Sequence, residues 1–388
     1  MVARAIDKSP GRLASLDGLR GLAICLVIIH HVAIRYLTEG SVGVDIFFAL
    51  CGYLLTASLL REFAKRGTIS LKVFYTRRMA RLLPALIMVL LATSGAIILN
   101  HYLPVAWRSR HSPASWKEVL FAGTFTMNWV RALHIGIGDD LLGHTWSLAV
   151  IEQFYLLWPP LLFAVLRWRK NSAASVTIGL AVVSALWSLV LHFQGASFER
   201  NFNGFDTRAV ELLIGSSLAF LPFDGRLADW LARHWYMPAI ALAVELVAPS
   251  MPLIPAGFYG IMGLLSAWLI LAALKGAPSA ALWENPVLGY VGRISYGLYL
   301  WHYMLLHLIE AHAPFHRAIV DGPALAAAFV IASLSYRFVE APISAAAHRM
   351  TSSPDRVVPQ DRKRRSLISP PGHFGPQKPI MSDPSALS

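Results

Sequence analysis

The chain has 388 residues, 56% hydrophobic and 14% charged, with a formal net charge of +12. A soluble domain carries roughly a quarter charged residues, so this composition excludes a soluble fold of this size. The positive charge does not mark a nucleic-acid binder, because Lys and Arg cluster between apolar runs, as the positive-inside rule requires of a membrane protein.

Apolar runs of about twenty residues recur along the chain, each long enough to cross a bilayer. The expected fold class is all-α, a polytopic transmembrane helical bundle. Spans are predicted at 19–38, 42–60, 79–99, 145–166, 173–192, 207–222, 236–250, 255–275, 288–311 and 318–340, ten in all. The sixth and seventh are short for ~30 Å of hydrocarbon. No small-residue cleavage site follows the first run, which reads as a retained span. Cys25 and Cys51 lie inside apolar runs, so neither a disulfide framework nor a metal-ligand spacing is expected.

Orientation follows from the basic loops. Arg4, Lys8 and Arg12, the group from Arg61 to Arg81, the "RWRK" after the fourth span and the "RKRR" at 362–365 all fall on one side of a ten-span chain. That side is expected to be cytoplasmic and to hold both termini. The segment 100–144 is the longest outside loop, with Trp107, Trp116 and Trp129 suited to a membrane interface. Residues 1–14 read as a cytoplasmic segment, 15–345 as the membrane domain and 346–388 as a disordered tail rich in Pro, Ser and charge. No internal repeat of the kind that marks many transporters is evident.

Three polar clusters interrupt the apolar pattern. In "RGLAICLVIIHH", Arg20 and His31 are eleven residues apart. That separation is about 1100° of helical rotation, so they share one face ~16 Å apart, while His30 points about 100° away. Arg20 would stand at the cytoplasmic mouth and His31 near mid-membrane. The bland reading makes Arg20 a positive-inside anchor and His31 a packed, hydrogen-bonded ring. An intramembrane His is costly, however, and usually marks function. In "FYTRRMARLLPA", Arg78 and Arg81 lie on one helical face beside Arg77, at the cytoplasmic start of the third span. Guanidinium forks suit phosphate oxygens, and topology is the competing reading. In "HTWSLAVIEQFYLLWP", Glu152 lies about two turns into the fourth span. A carboxylate there must be paired, protonated or facing water. Asp45, Glu211 and His302 pose the same question, while Glu340 reads as a helix end before Pro342. The surrounding Trp, Tyr and Gly residues read as packing.

Together these stretches, with "GVDIFFALCGYLL", "GRISYGLYLWH" and "YRFVEAP", occur in one order between about 15 and 340. They resemble the acyltransferase 3 family of bacterial membrane O-acyltransferases. The resemblance implies transfer of an acyl group, usually acetyl from acetyl-CoA, to a hydroxyl of a carbohydrate or glycolipid acceptor. It implies a multi-pass protein of the bacterial inner membrane in contact with lipid. It also implies that Arg20 and His31 are essential, and that Arg78 and Arg81 are the paired arginines of the third span. No permanently bound cofactor is expected, since acyl-CoA is a substrate. The chain departs from the pattern at Cys51, where Ser is common, and at Ala149 and Ile151 within "SLSVEEQFY". Glu152, the second acid of that motif, remains. Larger members carry a C-terminal hydrolase-like domain. The stretch after 346 is too short for one, so any hand-off of the acyl group is expected to need a separate protein.

On this reading His31 is the general base, since neutral imidazole is suited to taking a hydroxyl proton near pH 7. An acyl-histidine route stays open. Arg20, Arg77, Arg78 and Arg81 would hold CoA phosphates, and Glu152 and Asp45 would face an acceptor arriving from outside. The competing classes are a transporter or flippase of polysaccharide intermediates, and a non-catalytic membrane sensor. CoA-dependent turnover would separate the first from an enzyme. Tolerance of an isostere at His31 would mark the second.

Overall fold

The computed structural model describes residues 10–32, 42–102, 115–136, 141–247, 258–276, 280–312 and 317–351. Among them there is no strand, and the fold is a helical bundle. Residues 33–38 of the first predicted span, 248–250 of the seventh and 255–257 of the eighth lie outside this set. So do the N-terminal residues with Arg4 and Lys8, Trp107, and the C-terminal stretch with its "RKRR".

In chain order the long helices are α1 Pro10–Val32, α2 Val42–Arg66 and α3 Leu71–Tyr102. Two short helices follow, α4 Trp116–Gly123 and α5 Met127–Ala132. Then come α6 Thr145–Trp168, α7 Ala173–Phe193, the short α8 Phe198–Asn203 and α9 Phe205–Leu218. The chain continues with α10 Arg226–Arg233, α11 Tyr236–Val247, α12 Tyr259–Lys275, α13 Ala280–Trp283 and α14 Pro286–His312. It closes with α15 Arg317–Ser335, a π-helical turn Tyr336–Glu340 and α16 Ala341–Thr351.

Six helices among the described residues are long and apolar enough to cross a membrane: Ala14–Val32, Val42–Arg66, Leu71–Tyr102, Thr145–Trp168, Lys170–Phe193 and Ile319–Thr351. Their outward faces carry apolar side chains, such as Leu91, Val183 and Phe193 at 66%, 64% and 76% exposure. Each of the other four predicted spans is also helical, but α9, α11 and α12 are short. The fourth, α14, has 27 residues and is long enough. It falls outside the six because Arg293, Ser295, Tyr296, Tyr299, His302, Tyr303 and His307 lower its apolarity.

One expectation changes, and two gain detail. The third helix begins at Leu71, so Arg77, Arg78 and Arg81 lie within its first three turns. Within 100–144 the described residues include the helices α4 and α5. There Glu118 Oε1 accepts from the Ser115 amide at 2.9 Å, and its Oε2 accepts from the Leu141 amide at 2.9 Å. One fully buried carboxylate thereby ties the segment together. Glu340 does not end a helix. The Ala341 amide bonds back to Tyr336 O across a widened turn, and the helix runs on through Pro342 to Thr351. A π-turn of this kind accommodates a proline without ending the rod.

The core is built by α1 packed along α14, α2 along α9, and α9 between α7 and α12. Without a hydrophobic drive between helices in lipid, association relies on close backbone approach at small residues. Gly52 of α2 faces the Leu212 carbonyl of α9, and Gly215 of α9 faces the Ala49 carbonyl of α2. A Cβ at either would overlap that carbonyl. These contacts bring α2 and α9 to near backbone separation.

Candidate active site

Arg20 and His31 share the face of α1 that meets α14, as their spacing requires. Arg20 lines a cavity together with Cys51 of α2, Arg78 and Arg81 of α3, Ser147 and Tyr155 of α6, and Ser295, Tyr296 and Tyr299 of α14. Three guanidinium groups from two helices therefore meet in one space.

The arginines are held differently. Arg78 Nη2 donates to Glu152 Oε1 at 2.5 Å, and its guanidinium sits 3.5 Å from the centroid of the Tyr155 ring. Glu152 and Tyr155 are one turn apart on α6, which lets both reach the same side chain. Arg81 is exposed at the cavity lip and makes no ion pair among the described residues. Arg20 keeps a partly exposed pair with Asp17 at 3.4 Å. Arg77 turns away, donating from Nε to Thr351 Oγ1 at 2.8 Å on α16.

His31 lies in the last described turn of α1, and the remainder of the span expected to run to 38 lies outside the described residues. It is not among the cavity-lining residues. It packs against His302 and Tyr303 on a face of α14 that also carries Tyr299 and His307. His302 Nε2 is 3.2 Å from His31 Nδ1. The Tyr303 ring stands edge-on to His31 with centroids 5.1 Å apart. His144, at the start of α6, stacks on Tyr303 at 4.5 Å.

Tyr299 connects this group to the arginine cavity. Its hydroxyl donates to the His144 carbonyl and lies 2.7 Å from Ser147 Oγ. Its ring centroid is 5.8 Å from that of His302. Tyr299 and Ser147 therefore form the wall between the arginines and the histidines.

Asp45 and Glu152 are not brought together. Asp45 accepts from Arg208 Nη2 of α9, and Arg208 Nε lies 3.2 Å from Glu211 Oε2. All three are buried, and Arg208 is surrounded by the rings of Phe48, Trp146, Phe202 and Tyr259. Both acids expected to face an acceptor hold arginines. Sequence reasoning missed Arg208, although Arg208 and Glu211 at i, i+3 within an apolar run carry the signal of a buried pair. It also read Tyr299 and Tyr303 as packing.

A family model described as an acyltransferase domain matches residues 13–337. A peptidoglycan O-acetyltransferase, OatA, of Listeria monocytogenes is 34% identical over 359 residues, covering 85% of this chain and 55% of that protein. A putative O-acetyltransferase of Staphylococcus aureus is 31% identical, covering 85% of this chain and 57% of its own length. The O-acetyltransferase OatA of Staphylococcus aureus is 29% identical over 86% of this chain and 58% of that protein. The chain thus spans little more than half the length of the curated relatives it matches. No solved structure matches.

Proposed function

The chain belongs to the acyltransferase 3 family, and from that premise we propose that it moves an acetyl group from acetyl-CoA to a hydroxyl of a carbohydrate. The observation that carries the reading is the convergence of Arg20, Arg78 and Arg81 on one cavity whose end wall, Tyr299, touches the histidine group containing His31. The name of the Listeria relative, a peptidoglycan O-acetyltransferase, supports a glycan of the cell envelope as acceptor.

Arg81 and Arg20 grip the phosphates of CoA, and Arg78, fixed by Glu152 and Tyr155, shapes the cavity and adds its charge. Guanidinium groups match phosphate oxygens in geometry and charge. The pantetheine arm runs past Cys51 toward Ser147 and Tyr299, and transfer requires these two side chains to part so that the thioester reaches the His31 side. An acceptor hydroxyl gives its proton to His31 as its oxygen bonds to the thioester carbonyl carbon. The carbon–sulfur bond then breaks, and the departing thiolate takes the proton from His31. The step needs a base that is neutral near pH 7 and uncharged while buried, which imidazole provides. Asp45 and Glu152 act through the arginines they hold. The accompanying topology has ten spans in the bacterial inner membrane, with both termini cytoplasmic.

The test is acetyl transfer from radiolabelled acetyl-CoA to envelope glycan by purified protein in lipid. General-base removal costs about 10²–10⁴-fold in rate. His31→Ala and His31→Gln are expected to lose transfer to that extent while still binding acetyl-CoA, and His30→Ala to keep it. Full activity of His31→Gln would overturn the assignment.

A further inference from the structure

A neutral imidazole carries one proton on two nitrogens, and the nitrogen that holds it decides what the ring can do. His302 Nδ1 lies 3.0 Å from the Leu298 carbonyl oxygen, one turn earlier on α14. A carbonyl only accepts, so His302 Nδ1 carries the proton and Nε2 is left as an acceptor. That bare Nε2 faces His31 Nδ1 at 3.2 Å. On its other side His31 Nδ1 lies 2.9 Å from the Val27 carbonyl oxygen. Both neighbours of His31 Nδ1 are acceptors, so its proton sits there, shared between them. His31 Nε2 is left with its lone pair.

We propose that His302 is a positioning residue for His31. It fixes the Nδ1–H tautomer, keeps Nε2 free to take the acceptor's proton, and strengthens its hydrogen bond when His31 becomes charged. The inference rests on His31 being the base. His302 neither gains nor loses a proton in the cycle.

The logic is that of the group that orients the histidine in a hydrolase triad, with one change suited to this setting. No carboxylate forms an ion pair with His31 among the described residues. A neutral imidazole can orient the ring without the desolvation cost of a buried anion. His302 is fully buried, so water does not replace it as the acceptor. The Leu298 carbonyl sets the tautomer of His302, which in turn sets that of His31. A fixed helix backbone thereby determines which nitrogen of the base is bare.

Two measurements on the full chain in lipid test this. In the ¹⁵N spectrum of histidine-labelled protein, the His31 resonances are identified by their absence in His31→Ala. They are expected to show a protonated Nδ1 and a bare Nε2. In the transfer assay, His302→Leu is expected to lower kcat about tenfold to a hundredfold with acetyl-CoA affinity unchanged. That loss is smaller than the roughly 10⁴ seen when a triad's orienting group is disabled, because the Val27 carbonyl remains. His302→Gln can donate to Leu298 and accept from His31, and is expected to stay within about tenfold of the parent. A protonated Nε2 in the parent, an undiminished rate in His302→Leu, or a folded His302→Gln as slow as His302→Leu would each overturn the proposal. The spectrum reads the tautomer whether or not His31 is the base. Activity of His31→Ala therefore overturns the functional reading without deciding the tautomer.

Discussion

Arg78 and Arg81 sit one turn apart on α3, yet only Arg78 is committed to other side chains. Its guanidinium is taken up by Glu152 and Tyr155. Truncating one member of a buried pair leaves the other unpaired and costs about 3–5 kcal/mol. Arg78→Ala is therefore expected to lower the melting temperature in detergent markedly, and Glu152→Ala to do the same. Arg81→Ala is expected to leave melting nearly unchanged and to weaken acetyl-CoA binding about tenfold or more. A charge-assisted hydrogen bond contributes ~1.5–3 kcal/mol, and 1.4 kcal/mol is a factor of ten. Titration calorimetry beside thermal unfolding separates the two patterns. Unchanged affinity in Arg81→Ala would remove Arg81 from the donor site. Cys51 supplies an independent probe because it lines the same cavity. In a Cys25→Ser background, maleimide should modify Cys51 more slowly when CoA is present. A rate indifferent to CoA would place the donor elsewhere.

At the scale of helices, close backbone contact holds the bundle together alongside its buried ion pairs. Gly52 and Gly215 press α2 and α9 together, each against a carbonyl of the other helix. Overpacking costs about 1–3 kcal/mol even where side chains can shift, and a carbonyl in a helix shifts little. Gly52→Leu or Gly215→Leu is expected to lower both yield and melting temperature. At Gly95 of α3, by contrast, a Cβ would meet nothing within 4 Å. Gly95→Ala is therefore expected to be neutral or slightly stabilising, since Ala favours helix by up to about 1 kcal/mol. Equal effects at Gly52 and Gly95 would contradict the packing assigned to α2 and α9. The same interface carries Asp45 and Arg208, so loosening it also exposes a buried ion pair.

For the whole molecule, the test is the side on which each segment emerges. Lys65, at the end of α2, and Leu133, just past α5, are both exposed and separated by α3. In protein without native cysteines, Lys65→Cys and Leu133→Cys are expected to label from opposite faces. A reporter fused after Ser388 is expected on the Lys65 side. Labelling of both cysteines from one face would mean that α3 does not cross, and a reporter on the Leu133 side would rule out an even number of spans.

The sequence alone determined the helical membrane class, because apolar length and the distribution of Lys and Arg are local properties of the chain. It also placed Arg20 and His31 on one face, because helical phase depends only on spacing. What it left undecided was the partner of each polar residue. Arg78 meets Glu152 across 74 residues, Arg208 meets Asp45 across 163, and His31 meets His302 across 271. Helical periodicity says which residues share a face but not which face another helix covers. Tertiary packing made Asp45 and Glu152 the partners of arginines. It also placed Tyr299 between the arginine cavity and the histidine group. The physical reason is that a buried charge in a low-dielectric interior must find a counter-charge, and only the three-dimensional arrangement of the helices decides which one is within reach.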